Sequence, residues 1–302
     1  MITVTRPGPL TTIQDRGRPG YAHLGVPRSG ALDQAALRRA NELVGNAAEA
    51  AGLETTLLGC ALRFEVTARV AVVGAEALVR VDKQPVSVAA AFEVPAGAVL
   101  DIGRALRGVR SYLAVAGGID VEPVLGSRST DTLSGLGPPK LADGMTLPIG
   151  AASPASPASP ASPASPASPA SPASPASPAS SGGPGLPGGA TASELELGVR
   201  LGPRDDWFEA AGLFAEAYTV SPLSNRVGCR LAGTSLTRTR VGELPSEGVV
   251  LGAVQVPADG QPLIFLADHP TTGGYPVIGV VEDVAPLAQA RPGTTVRFRA
   301  ID

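Results

Sequence analysis

From Ala152 to Pro178 the chain is an unbroken Ala-Ser-Pro triplet repeat, and a Ser/Gly/Pro stretch continues it to about Ala190. Proline at every third position removes a backbone donor from each triplet and favours the extended polyproline conformation. Neither Ala nor Ser supplies a side chain that could build a core. Fully stretched, at ~3.1 Å per residue, the repeat would span about 80 Å. It reads as a disordered spacer. It lacks the basic and bulky apolar positions of a ligand for proline-recognition domains. The spacer at 151–190 therefore divides the chain, and any packed structure must be built from residues 1–150 and 191–302.

Both flanks read as β-rich and are punctuated by Gly and Pro. Short strands are expected at 2–4, 62–66, 69–73, 78–81 and 109–115, and after the spacer at 194–199, 262–267, 275–281 and 295–299. Long helices do not alternate with them, which argues for barrels or sandwiches and against a parallel sheet. One helix stands out, with Leu32, Ala36, Leu37, Ala40, Leu43 and Val44 at helical spacing, Ser29 available as a cap and Gly45 to end it. A shorter helix is expected over 283–290, before Pro292 and Gly293. The fold class is mainly β with a few helices.

Composition narrows the function. The 302 residues carry 24 basic and 27 acidic side chains, a formal net charge of -3, and no basic block suited to nucleic acid. The first residues, MITVTRPGPL, lack the apolar run of a secretory signal, and no apolar stretch approaches membrane-spanning length. A cytoplasmic location without membrane contact is expected. Cys60 and Cys229 are the only cysteines, too few for a disulfide framework or a thiolate zinc site, and read as buried thiols. Lys83 and Lys140 are the only lysines, and no GxxxxGK[ST] segment occurs, so any nucleotide must be held by arginine and backbone amides.

Three polar segments carry candidate chemistry. Gln14, Asp15, Arg16, Gly17 and Arg18 gather an amide, a carboxylate and two guanidinium groups, which match carboxylate or phosphate bidentately. Arg128, Ser129, Thr130 and Asp131 offer a similar set, suited to an anion or a Mg²⁺-linked phosphate. The third, Asp268 to Pro276, joins Thr271 and Thr272 to Gly273, Gly274 and Tyr275, where backbone N–H groups can approach a ligand closely. Of the two histidines, His269 lies in this segment beside the Thr-Thr-Gly-Gly run and His23 does not. Asp15, Asp131 and Asp268 are the candidates for proton handling or for a metal whose identity the sequence leaves open.

Residues 6–21, RPGPLTTIQDRGRPGY, together with SGALD at 29–33 and ANELVGN at 40–46, resemble the allophanate hydrolase subunit 2 family of biotin-dependent carboxyltransferase-like proteins. RSYLAVAGGID at 110–120, LGSRSTD at 125–131, SEGVVLGAVQVPADGQP at 246–262 and TTGGYP at 271–276 extend the likeness, in the family's order, over all but the spacer. The resemblance implies two cyclophilin-like β-barrel subdomains. For a free-standing chain it implies the C subunit of ATP-dependent 5-oxoprolinase, in a heteromer with A and B subunits that converts 5-oxo-L-proline to L-glutamate. ATP and Mg²⁺ are the implied cofactors, and Arg226 joins the implied binding set. The alternatives are the carboxyltransferase component of a urea or amide carboxylase, or a regulatory partner without chemistry of its own. Lys83 and Lys140 lack the flanking methionines of a biotinylated lysine, so no attached biotin is expected. The chain departs from the family at GLGPPKL, 135–141, where an arginine is missing, and at Asn225 and Val227, which flank Arg226 and Gly228.

Overall fold

The fold is described from a computed structural model, over residues 1–152 and 194–302. All but the first two residues of the expected spacer lie outside the described residues. The first half is built on two long antiparallel strands, Ala68–Val81 and Val99–Val115, rich in Val and Ala. They pair from Val70 opposite Val115 to Val81 opposite Leu100. The sequence pattern divides the first of them at 74–77. Register shifts between Gly74 and Val79, and a positive φ of 113° at Gly74, let one strand run through that break as a series of bulges. The expected fragments at 69–73 and 78–81 are thus one strand.

Around this pair the sheet runs in the order Thr11–Gln14, Gly52–Thr56, Val99–Val115, Ala61–Phe64, Ile2–Arg6 and Thr146–Leu147, nine strands in all among the described residues. It is a half-barrel. One face buries Ile2, Val4, Ile13, Leu53, Leu62, Phe64, Leu100 and Leu113. The other receives the Gln34–Val44 helix, with Leu37 against Tyr112, and Ala40 and Val44 against Ala71 and Ala114. Asp33 caps this helix by accepting from Ala36 N at 2.9 Å, and Gly45, at φ 81°, ends it. Ser29, the cap expected from sequence, lies outside the helix in a left-handed conformation, φ 53°.

The second half is a closed barrel, in the order Glu194–Leu201, Val277–Val281, Ala253–Gln255, Leu263–Phe265, Gly228–Ala232, Tyr218–Val220 and Thr295–Ala300. The last strand returns to the first in parallel, from Glu194 opposite Thr295 to Val199 opposite Ala300. Leu197, Val199, Tyr218, Leu231, Ile264, Ile278 and Phe298 fill the interior. The short helix expected at 283–290 is a 3₁₀ helix, Ala285–Gln289. Pro286 in its first turn and Pro292 just beyond leave no room for an α-helical ladder.

The seam between the halves is polar as well as apolar. Leu32 of the first half inserts into the barrel's cluster. Gln289 Oε1 accepts from Val109 N at 2.9 Å and Arg110 N at 3.0 Å, while its Nε2 donates to Arg110 O at 3.0 Å. Arg110 Nη1 donates to Ala288 O at 2.7 Å, and Arg291 Nε to Gly108 O at 2.7 Å. The 3₁₀ helix thereby clasps the long central strand, satisfying backbone groups that the sheet leaves unpaired.

Candidate functional site

A cavity of about 380 Å³ lies where the halves meet. Arg28, Ser29, Leu32, Gln34 and Arg38 line it from the first half, and Leu251, Ala267, His269, Asp283 and Val284 from the second. Its shape depends on the 28–32 loop, which is tied down on every side. Arg28 O accepts from Arg18 N at 2.7 Å, Ala31 N donates to Asp15 O at 2.9 Å, and Leu32 N to Glu54 Oε2 at 2.9 Å. From the barrel, Ala267 O accepts from Ser29 N at 2.9 Å and Arg226 Nη2 donates to Gly30 O at 2.7 Å. The two glycines make this approach possible: a Cβ on Gly17 would stand 2.5 Å from Arg28 O, and one on Gly30 2.8 Å from Arg16 C.

Behind the loop lies a buried ionic network. Arg226 is fully buried and donates to both oxygens of Asp268, at 2.8 and 2.9 Å, and to Glu54 Oε1 at 2.5 Å. Arg110 Nε stands 3.4 Å from the same Glu54 oxygen. Asp268 also accepts from Thr132 N at 3.0 Å and Thr132 Oγ1 at 2.6 Å. Two guanidinium groups and two carboxylates balance each other away from water. Burial alone would lower the Arg226 pKa, but Glu54 and Asp268 more than offset it and hold the group above its ordinary value.

Two side chains on the cavity wall are unusual. Ser29 is 2% exposed, has positive φ, and its Oγ has no hydrogen-bond partner. His269 is 7% exposed, with Nδ1 2.6 Å from Pro270 O. A carbonyl only accepts, so Nδ1 carries the proton and, in the neutral ring, Nε2 is a free acceptor. Burial pushes the His269 pKa below its ordinary value and the Arg28 charge acts the same way, against the Pro270 carbonyl and Asp268.

About half of the residues singled out by sequence are buried behind this wall. Asp15 Oδ1 accepts from Gly17 N at 2.7 Å, Ser127 Oγ at 2.6 Å and Ser129 Oγ at 2.5 Å, and Oδ2 from Arg128 N at 2.6 Å. Asp131 accepts from Leu133 N and Ser134 Oγ. Gln14 donates to Thr12 Oγ1 and Thr130 O, and Arg18 to Val124 O and Ser129 O. Burial lowers the Arg18 pKa, against the pull of Asp15, Asp131 and Asp268. Arg128 turns away to Val121 O and Asp120. Arg16 is exposed. Thr272 and Gly273 pair with Glu247 and Gly248 in a two-stranded ribbon, Thr271 is half-buried, and Gly274 and Tyr275 are exposed. His23 is exposed and bonds locally to Gly20 O.

Arg28, Gln34, Arg38, Glu54, Arg110 and Asp283 belong to none of the polar segments that stand out in the sequence, where Ser29 reads only as a helix cap. Among the described residues no group of three His, Cys, Asp or Glu side chains could hold a metal ion. The carboxylates nearest the cavity already accept from the chain's own donors. The residues present therefore do not fit a metal ion held by the side chains of this chain alone.

The model of the carboxyltransferase domain, subdomain A and B, matches residues 24–300. The chain belongs to the carboxyltransferase-domain family. Among similar members is the C subunit of 5-oxoprolinase from Escherichia coli, 38% identical over 99% of this chain and 90% of the relative. Solved structures with the same fold include TTHA0988, with a TM-score of 0.80 and 33% identity, covering 99% of this chain and 55% of that one. The Kluyveromyces lactis urea amidolyase has a TM-score of 0.84 and 29% identity, covering 100% of this chain and 19% of that one. The chain thus spans about half of the first of these structures and a fifth of the second.

Proposed function

We propose that this chain is the C subunit of an ATP-dependent 5-oxoprolinase, acting with A and B subunits to convert 5-oxo-L-proline to L-glutamate. The observation that carries the reading is the match to the Escherichia coli protein of that name, which extends over nearly the full length of both chains. The inter-half cavity supports it. Its volume falls within the range of about 300–1,000 Å³ usual for small-molecule sites. Its wall combines cationic Arg28 and Arg38 with apolar Leu32, Leu251 and Val284, a lining suited to a compact, partly apolar anion.

In this reading Asp15, Asp131, Asp268 and Arg226 are positioning residues. They hold the 28–32 loop and the 127–134 segment so that Ser29, Arg28 and His269 keep their places on the cavity wall. ATP and Mg²⁺ belong to the assembled enzyme and not to this chain alone, with the metal arriving on the nucleotide phosphates. The chain works in the cytoplasm beside its partner subunits. No helix among the described residues is long and apolar enough to cross a membrane.

The test is glutamate release coupled to ATP hydrolysis. The chain alone is expected to be silent, and the combination with A and B subunits to turn over 5-oxo-L-proline. The likeness to the urea amidolyase structure motivates a second arm with urea, bicarbonate and a biotin carrier. Turnover there, without glutamate release in the first arm, would replace the reading with a carboxyltransferase one.

A further inference from the structure

Every wall of the cavity restricts what can occupy it. Arg28 and Arg38 form no ion pair among the described residues, so an anion entering the cavity finds cations uncommitted to protein carboxylates. Asp283, on the opposite wall, is exposed and accepts from Ala285 N at 2.8 Å. Ser29 Oγ is buried without a partner, an unfavourable state in a resting protein. Its left-handed backbone, at φ 53°, adds strain of its own. The bonds from Glu54, Asp15, Arg226 and Ala267 hold the loop in that state. A hydroxyl fixed in this way is an O–H donor for which the chain supplies no acceptor.

Resting on the function proposed above, we infer that the cavity binds 5-oxo-L-proline itself. Its carboxylate lies between Arg28 and Arg38, and its lactam N–H donates to His269 Nε2. The ligand's own chemistry sets the spacing, because its carboxylate and N–H are borne on neighbouring atoms. The cation and the imidazole must then serve one cavity, and Arg28 and His269 both line it. The ring methylenes meet Leu32, Leu251 and Val284. Two discriminations follow. A neutral lactam forfeits the arginine pair and binds poorly, and a molecule without an N–H leaves Nε2 unsatisfied.

The chain has two histidines, so the imidazole region of its ¹H–¹⁵N spectrum holds two ring systems, assigned with His269→Gln. Titration of the full chain with 5-oxo-L-proline should shift the His269 ring and leave His23 in place. 2-Pyrrolidinone should bind about tenfold or more weakly, the scale of one lost charge-assisted contact. In the reconstituted enzyme, Arg28→Ala and Arg38→Ala should each raise KM for 5-oxo-L-proline by about tenfold with an unchanged thermal midpoint. Ser29→Gly should raise the midpoint, by relieving strain at φ 53°.

Equal binding of the neutral lactam, or a glutamate-releasing complex whose KM ignores both arginine substitutions, would overturn the assignment while leaving the functional reading intact. If the complex releases no glutamate, the functional reading fails. The cavity assignment is then decided by the spectra: a saturable His269 shift keeps it and the absence of one overturns it.

Discussion

Replacing Arg226 by Met keeps the volume of the side chain's stem and removes the charge that joins the two halves. The guanidinium makes four contacts, two with Asp268, one with Glu54 and one with Gly30 O. Without it, Asp268 keeps only the Thr132 donors, and Glu54 keeps Leu32 N and the longer Arg110 contact at 3.4 Å. Breaking a buried pair from one side costs about 3–5 kcal/mol, because the uncompensated carboxylates stay buried. For folding units of this size that is a fall in midpoint on the order of 10 °C.

The orphaned carboxyls also make the deficit depend on pH. Their folded-state pKa values would rise above the unfolded range of about 4, so the penalty is present at neutral pH and relieved as pH falls toward that range. The assay is thermal unfolding by circular dichroism at pH 7 and pH 5, with Arg226→Met compared with the triple variant Arg226→Met, Glu54→Gln, Asp268→Asn. The single variant should regain part of its deficit at pH 5, and the triple variant should regain part of it at pH 7. A single variant within about 1 kcal/mol of wild type, or a deficit indifferent to both pH and neutralisation, would refute the idea that this network holds the seam.

Gly30→Ala should cost about 3 kcal/mol or more, from strain at φ 92° and the 2.8 Å approach to Arg16 C, and should weaken 5-oxo-L-proline binding because the loop is displaced; urea denaturation and the ring spectra check both. His269→Gln tests linkage. Because the folded-state pKa is depressed, the wild type should lose stability as pH falls below about 6.5, and the variant should not; midpoints between pH 7 and pH 5 measure the difference. Cys60 and Cys229, both buried with thiols pushed up to about 11, should resist alkylation in the native protein and react once it is unfolded.

Residue pattern made the architecture legible where local preference and tertiary structure agree. Alternating Val and Ala give the long strands, and Leu37, Ala40 and Val44 give the helix face that packs on Tyr112, Ala71 and Ala114. The bulged passage through Gly74 was hidden, because local signals there read as a turn and the partner strand decides otherwise. The site was legible only in part. Polar loops at 14–18, 128–131 and 268–276 drew notice because they concentrate charge and glycine, and the structure joins the first two, with Asp268, in one buried assembly. Arg28, Arg38 and Glu54 carry no such local signature. Their importance arises from contacts across separations such as the 172 residues between Glu54 and Arg226, which no window of sequence contains. Ser29 did leave a trace, as a serine before a helix, but a capping serine and a strained one look alike until φ is known.

The parallel pairing of Glu194–Leu201 with Thr295–Ala300 sets a timetable for synthesis. The first stave of the barrel has no neighbour on that side until residue 300 has left the ribosome, so the second half cannot seal piecemeal as it emerges. Loop-closure entropy across some hundred residues must be met in one late step. Removing the final strand would leave a gutter with two raw edges, open to pairing with other copies.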